Sequence, residues 1–137
     1  MIGVLSPDEI DALLRRHRVG RLAVAANDRP YVVPITYAYD GASIYAFSGP
    51  GRKIDVMREQ PLVCFEVDEV TGPSEWRSVV AEGRYEELCD EPSRREALAL
   101  LGITNGVVAR TLAAGSRNVV FRVRLTECGG RFERRDA

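Results

Sequence analysis

Histidine, lysine and tryptophan are almost missing from this chain of 137 residues: each occurs once, as His17, Lys53 and Trp76. One histidine leaves no His-x-x-x-His metal pair, and no Gly-x-Ser-x-Gly nucleophile turn is present. Cys64, Cys89 and Cys128 are odd in number, widely spaced and free of any Cys-x-x-Cys pairing. They argue against a disulfide framework and against structural zinc, and read as reduced thiols of a cytoplasmic protein. No apolar run approaches the ~18 residues of a membrane span, and no basic stretch leads into an apolar one at the start. The formal net charge is −1. Nothing global therefore draws the chain to nucleic acid or to an anionic membrane.

What is present is ordinary for a soluble globular protein: 45% hydrophobic and 28% charged residues. The length supports one domain over residues 1–137 with a single core. Among the 19 basic residues all but Lys53 are arginines, a bias that codon usage alone can produce. Arginine grips planar anions bidentately, whereas lysine is a compact point charge suited to phosphate.

Local chemistry sets the expected elements. Ser6-Pro7-Asp8-Glu9 has the residues of a capping box, with proline at the first helical position. Ile10, Leu13 and Leu14 follow as an apolar stripe, Arg15 to Arg18 form the solvated last turn, and Gly20 is expected to end the helix. The period then becomes two. Strands are predicted over 22–26, 31–39, 43–47, 62–68, 76–88 and 118–126, with turns at Asn27-Asp28 and Asp40-Gly41. Tyr31, Val33, Ile35, Tyr37 and Tyr39 share one face of the second strand. Pro34 lies inside it and cannot donate to a ladder, which predicts a sheet edge or a bulge there. Short helices are expected over 52–60 and 90–101. Residues 102–116 leave loop and short helix open, and Arg131 to Ala137 read as a frayed tail. Six strands joined mostly by turns imply a mainly β fold, a small antiparallel barrel.

Two constellations carry chemistry. In Ser48-Gly49-Pro50-Gly51-Arg52-Lys53 a strand runs through a glycine turn into a helix start. The first amides of a helix lack internal partners, and glycine lets an anion approach them while Arg52 and Lys53 add full charges. That is the construction of a phosphate site; a plain helix start with two exposed cations fits equally. In Trp76-Arg77-Ser78-Val79-Val80 an indole, a guanidinium and a hydroxyl suit a flat heteroaromatic ligand, or else a core or interface strand. Glu66, Asp68 and Glu69 read as a solvated strand end rather than a hydrolytic or metal centre, and His17 as exposed. No acid–base pair stands out, so any chemistry falls to a cofactor. Catalytic residues are not assigned, and no metal is expected.

The ordered segments Arg29-Pro30-Tyr31-Val32-Val33-Pro34-Ile35-Thr36-Tyr37, Ile44-Tyr45-Ala46-Phe47-Ser48, Gly51-Arg52-Lys53, Pro61 to Asp68 and Trp76 to Val80 together resemble the pyridoxamine 5′-phosphate oxidase-like FMN-binding split barrels. The resemblance spans about residues 6 to 127 and is nearest the short nitroimidazole-resistance-like branch. It implies a six-stranded split β-barrel and an obligate homodimer with two FMN sites in the subunit interface. It implies phosphate binding by Arg52 and Lys53, and flavin contacts along Val33, Pro34, Ile35 and Thr36. Phe47 and Ser48 would close the pocket, and Trp76, Arg77 and Ser78 would line it, in part from the partner subunit.

Two departures narrow the expected function. A histidine often found in that branch is replaced by Phe47, which speaks against a proton-donating or covalent role there and, with it, against drug reduction as such. The chain runs only a few residues past Gly129-Gly130, which speaks against vitamin B6 oxidation. The expectation is an FMN-dependent oxidoreductase that takes electrons from a reduced nicotinamide to a small electrophile such as a nitro compound, a quinone or oxygen. The alternatives are a flavin-binding or redox-sensing module without turnover, a deazaflavin-dependent reductase, and a barrel that has lost its cofactor. With His17 read as exposed, haem ligation has poor support.

Overall fold

In the computed structural model, which describes residues 1–135, the chain passes three times from sheet to helix and back. The elements are β1 (Ile2–Val4), α1 (Pro7–Arg16), β2 (Val19–Ala26), β3 (Arg29–Thr36), β4 (Ala38–Tyr39), β5 (Ser43–Ser48), α2 (Arg52–Glu59), β6 (Leu62–Gly72), β7 (Glu75–Glu87), α3 (Glu91–Leu100), α4 (Asn105–Leu112) and β8 (Val119–Glu133). All ladders are antiparallel, in the order β3-β2-β6-β7-β8-β5-β4, with β1 added to the far end of β8.

That order has a geometric consequence. β3 and β4 are the two ends of the path, yet only Tyr37 separates them in the chain. The sheet must curl until its edges meet at Tyr37, although no ladder joins β3 to β4. Mainly β architecture is as expected; the count is eight strands rather than six, and the barrel is not closed by hydrogen bonds. Pro30 and Pro34 explain the open edge, since neither has an N–H to offer a further strand.

Local chemistry accounts for most of the joints. The capping box forms, with Glu9 N donating to Ser6 Oγ at 3.2 Å and Ser6 N to Glu9 Oε1 at 2.9 Å. Asn27 and Asp28 both take positive φ, 53° and 61°, which matches the twist that a two-residue hairpin needs. Asp40 Oδ1 accepts from the amides of Ala42 and Ser43, fixing the turn into β5.

Several sequence expectations are corrected. Gly20 does not stop α1; it lies within β2, where a Cβ would meet the Phe65 ring at 2.3 Å. The β2–β3 register is unbroken through Pro34, so that proline marks an edge and no bulge. The irregularities fall at Val70/Gly72 and Glu82/Gly83. Gly83 is held by close approach to Arg124 O, 2.7 Å from where its Cβ would stand. The frayed tail is strand as far as Glu133, because β1 and β7 both pair with it. Arg134 and Arg135 follow outside any strand, and Asp136 and Ala137 of that segment lie outside the described residues. The ambiguous stretch after Gly102 contains α4.

The main core sits inside the curl, with Leu13, Leu14, Leu22, Ile54, Met57, Val67 and Val79 fully buried. A second cluster, Ala97, Leu98 and Val120 with Phe47 and Ile103 packed on it, fastens α3 and α4 over β5 and β8. Among the described residues no helix is long and apolar enough to cross a membrane.

Candidate functional site

The Gly49-Pro50-Gly51 turn delivers the chain from β5 into α2. Gly51 is extended, with φ 171°, and supplies no side-chain cap, so among the described residues no side chain caps the first amides of α2. Two contacts orient this helix. Asn27 Nδ2 donates to Glu59 Oε1 at 3.0 Å, and the Arg52 guanidinium lies over the Tyr31 ring, 4.6 Å from its centroid. The C-terminal end of α2 is thus beside the start of β3, and its N-terminal end points past Tyr31 toward Pro34–Thr36. The positive end of the helix dipole faces that way.

A cavity of about 260 Å³ lies there. It gathers Pro34, Ile35 and Thr36 from the open β3 edge, Phe47 from β5 and Lys53 from α2. Ala46, Leu101, Ile103 and Phe121 complete the lining. Sequence reasoning missed these four. Ala46 and Phe121 looked like plain alternating strand residues, and Leu101 and Ile103 flank a bend at Gly102, whose φ is +71°. Arg18 Nη2 holds that bend by donating to Leu101 O at 2.7 Å. Lys53 is the one ionisable group on the lining; the remainder is apolar apart from the Thr36 hydroxyl and exposed backbone. Among the described residues, neither Lys53 nor Arg52 forms an ion pair.

The other expected site residues are placed differently. Val33 packs against the main core and does not line the cavity. Ser48 Oγ donates to Gly49 O at 2.8 Å and so braces the turn. Trp76, Arg77 and Ser78 are not brought to this cavity within one chain. Trp76 and Arg77 line a larger one, about 580 Å³, with Arg16, Glu69, Phe132 and Glu133. Carboxylates outnumber cations on its lining, with Glu9, Glu69, Glu75 and Glu133 against Arg16, Arg77 and Arg134; Glu69 pairs with Arg16 at 2.5 Å and stands 4.0 Å from Arg77, and Trp76 Nε1 donates to Glu133 Oε2 at 2.9 Å. The larger volume is therefore the weaker anion site. Ser78 faces Asp68 and Arg131 in register, on the face of β7 opposite the buried Val79 and Ala81.

His17 is half-buried rather than exposed. Its Nε2 lies 3.1 Å from Glu69 Oε2, at ion-pair distance but without hydrogen-bond alignment. Arg16, then His17, hold the Glu69 carboxyl below its usual range. Glu66 behaves oppositely: burial, reinforced by Asp68 beside it, pushes its carboxyl up to about 7. Among the described residues no group of His, Cys, Asp and Glu side chains is arranged to hold a metal.

A narrow apolar slot, a strand edge with free backbone groups, and a helix N-terminus bearing an unpaired lysine suit a flat aromatic ring joined to an anionic tail. The sequence profile of pyridoxamine 5′-phosphate oxidase matches residues 6–132. The chain belongs to the pyridoxamine 5′-phosphate oxidase family.

Relatives of this family member are close in fold. A crystal structure of an FAD-binding protein from Mesorhizobium loti is 39% identical, with 98% of this chain and 99% of that one covered and a TM-score of 0.81. A Bacteroides thetaiotaomicron structure named for 5-nitroimidazole antibiotic resistance is 19% identical over 96% of this chain and 87% of that one, with a TM-score of 0.75. At that identity the likeness concerns the fold alone. An uncharacterized protein of Rhizobium meliloti is 44% identical over 87 residues, which are 64% of this chain and 58% of that protein.

Proposed function

We propose that this chain is a flavin-binding subunit that holds the phosphate of FMN at Gly51-Arg52-Lys53 and its ring in the slot between the β3 edge and Phe47. The observation that carries this reading is the single cavity in which Lys53 and the start of α2 meet an otherwise apolar lining. Lys53 and the free amides neutralise the phosphate. Ile35, Ala46, Phe47 and Phe121 exclude water from the ring, and the β3 edge offers backbone groups to its polar rim. A flavin held there would supply the redox chemistry between a reduced nicotinamide and a small electrophile such as a nitro compound, a quinone or oxygen.

The working unit in this reading is a homodimer. A cavity of about 260 Å³ is smaller than the ~300–1,000 Å³ of ordinary ligand pockets, so one chain does not surround the cofactor. The outer face of the sheet exposes Val19, Val32, Leu62, Val70 and Val80, each near half exposed or more. A second copy seated on that face covers them and brings its Trp76, Arg77 and Ser78 toward the flavin.

Because Lys53 is the only ionisable lining residue, a second reading has support: a flavin carrier or redox sensor without turnover. The name of the Mesorhizobium loti relative makes FAD a competitor of FMN, alongside deazaflavin. The absorption spectrum of purified protein, with mass spectrometry of the released small molecule, tests the proposal. A yellow protein releasing FMN supports it, and protein that stays colourless after incubation with flavins overturns it. Nicotinamide oxidation across a panel of acceptors separates the enzyme from the carrier.

A further inference from the structure

The structure divides the two cations expected at the phosphate turn. Lys53 lines the cavity, whereas Arg52, the first residue of α2, leaves the cavity wall and stacks on Tyr31 at 4.6 Å. We propose that Tyr31 is a positioning residue: its ring holds the Arg52 guanidinium beside the α2 N-terminus, so that an incoming flavin phosphate meets an ordered cation on the side away from Lys53. This rests on the flavin reading given above.

Each part of the arrangement is anchored. Tyr31 is opposite Val24 in the β2–β3 ladder and packs against the main core, so its ring is a rigid platform. The Asn27–Glu59 contact and the packing of α2 on β2 keep the helix at a fixed distance from that platform. Arg52 has no carboxylate partner among the described residues, so the stack is its only specific contact. A free arginine side chain has many rotamers to lose on meeting an anion. Stacking removes part of that loss beforehand while leaving the N–H groups at the guanidinium edge free to bond oxygen. Tyr31 touches neither the phosphate nor the ring in this scheme; it acts through Arg52.

Riboflavin, which has FMN's ring but no phosphate, separates this role from a structural one. Binding of FMN and of riboflavin should be titrated by flavin fluorescence for wild type, Tyr31→Phe and Tyr31→Leu, each also with Arg52→Gln. Tyr31→Leu is expected to lower the FMN-to-riboflavin affinity ratio by about two- to fivefold, the worth of one exposed cation–π contact. Tyr31→Phe keeps the ratio, and with Arg52→Gln the Tyr31→Leu effect disappears. An unchanged ratio in Tyr31→Leu, an equal loss for both flavins, or the same loss without Arg52 overturns the proposal. Wild type that binds FMN no better than riboflavin overturns the phosphate assignment itself, and wild type that binds neither overturns the flavin reading.

Discussion

The hydroxyl of Tyr37 donates to the carbonyl oxygen of Leu14 at 2.7 Å, tying the one residue between the two sheet edges to the last turn of α1. Its amide donates to Arg18 O at 2.8 Å, and its ring meets Phe65 edge-on at 4.8 Å. The seam where the curled sheet meets itself is thus fastened by one side chain rather than by a strand ladder.

Burial pushes the Tyr37 hydroxyl from 10.0 up to about 12. The folded state disfavours the phenolate, so this contribution to stability is intact below pH ~10 and is lost as pH rises toward 12. Tyr37 should contribute about 1.4 kcal/mol per pH unit to the loss of stability across that window, and Tyr37→Phe should remove that share of the slope. At neutral pH the same variant leaves Leu14 O unpartnered, at a cost of about 1–3 kcal/mol. Urea unfolding monitored by circular dichroism at pH 7, 10 and 11.5 reads both effects.

Gly20→Ala should destabilise the protein by about 1–3 kcal/mol, since the added methyl overlaps the Phe65 ring and stands 2.8 Å from Glu66 O. An unchanged thermal midpoint would show that the ring can step aside.

Glu66 gives a pH dependence of its own. Its carboxyl is raised from 4.5 to about 7, by burial first and then by Asp68. Folding favours its protonated form, so its contribution is present below pH ~4.5 and lost as pH climbs through 7. Glu66→Gln keeps the neutral shape and should raise the melting temperature at pH 8 while leaving it unchanged at pH 4.5. The group is only half-buried, so solvent screening makes the shift modest. Melting curves at the two pH values decide it.

Lys53→Ala should weaken FMN binding by roughly ten- to a hundredfold, the worth of one charge-assisted contact to phosphate. Replacing Arg52 as well should weaken it further, and riboflavin binding should move little in either variant. Equilibrium dialysis with both flavins measures this. FMN affinity that stays at the wild-type level would remove the anchor from the proposed site.

Much of the framework was legible because its causes are local. Ser6 and Glu9 close a capping box at the start of α1, Asn27-Asp28 and Asp40-Gly41 turn where strand alternation breaks, and Pro34 marks an edge because it has no N–H wherever it lies. The errors have physical causes too. Gly20 reads locally as a helix stop because nothing near it in sequence reveals the Phe65 ring that demands its small size. The charged end after Gly130 read as a tail because its strand character comes from pairing with β1 and β7.

The candidate site divides along the same line. Sequence alone determined the glycine turn, the helix start and the two adjacent cations, all set by a few consecutive residues. Tertiary structure decided that the curl brings Pro34–Thr36 to Phe47 and Lys53, that the Gly102 bend adds Leu101 and Ile103, and that Trp76–Ser78 stand elsewhere in the same chain. It also decided that Arg52 and Lys53, neighbours in sequence, diverge. Successive helix residues point about 100° apart, and only the packing of α2 against the β2–β3 hairpin sets one toward Tyr31 and the other toward the cavity.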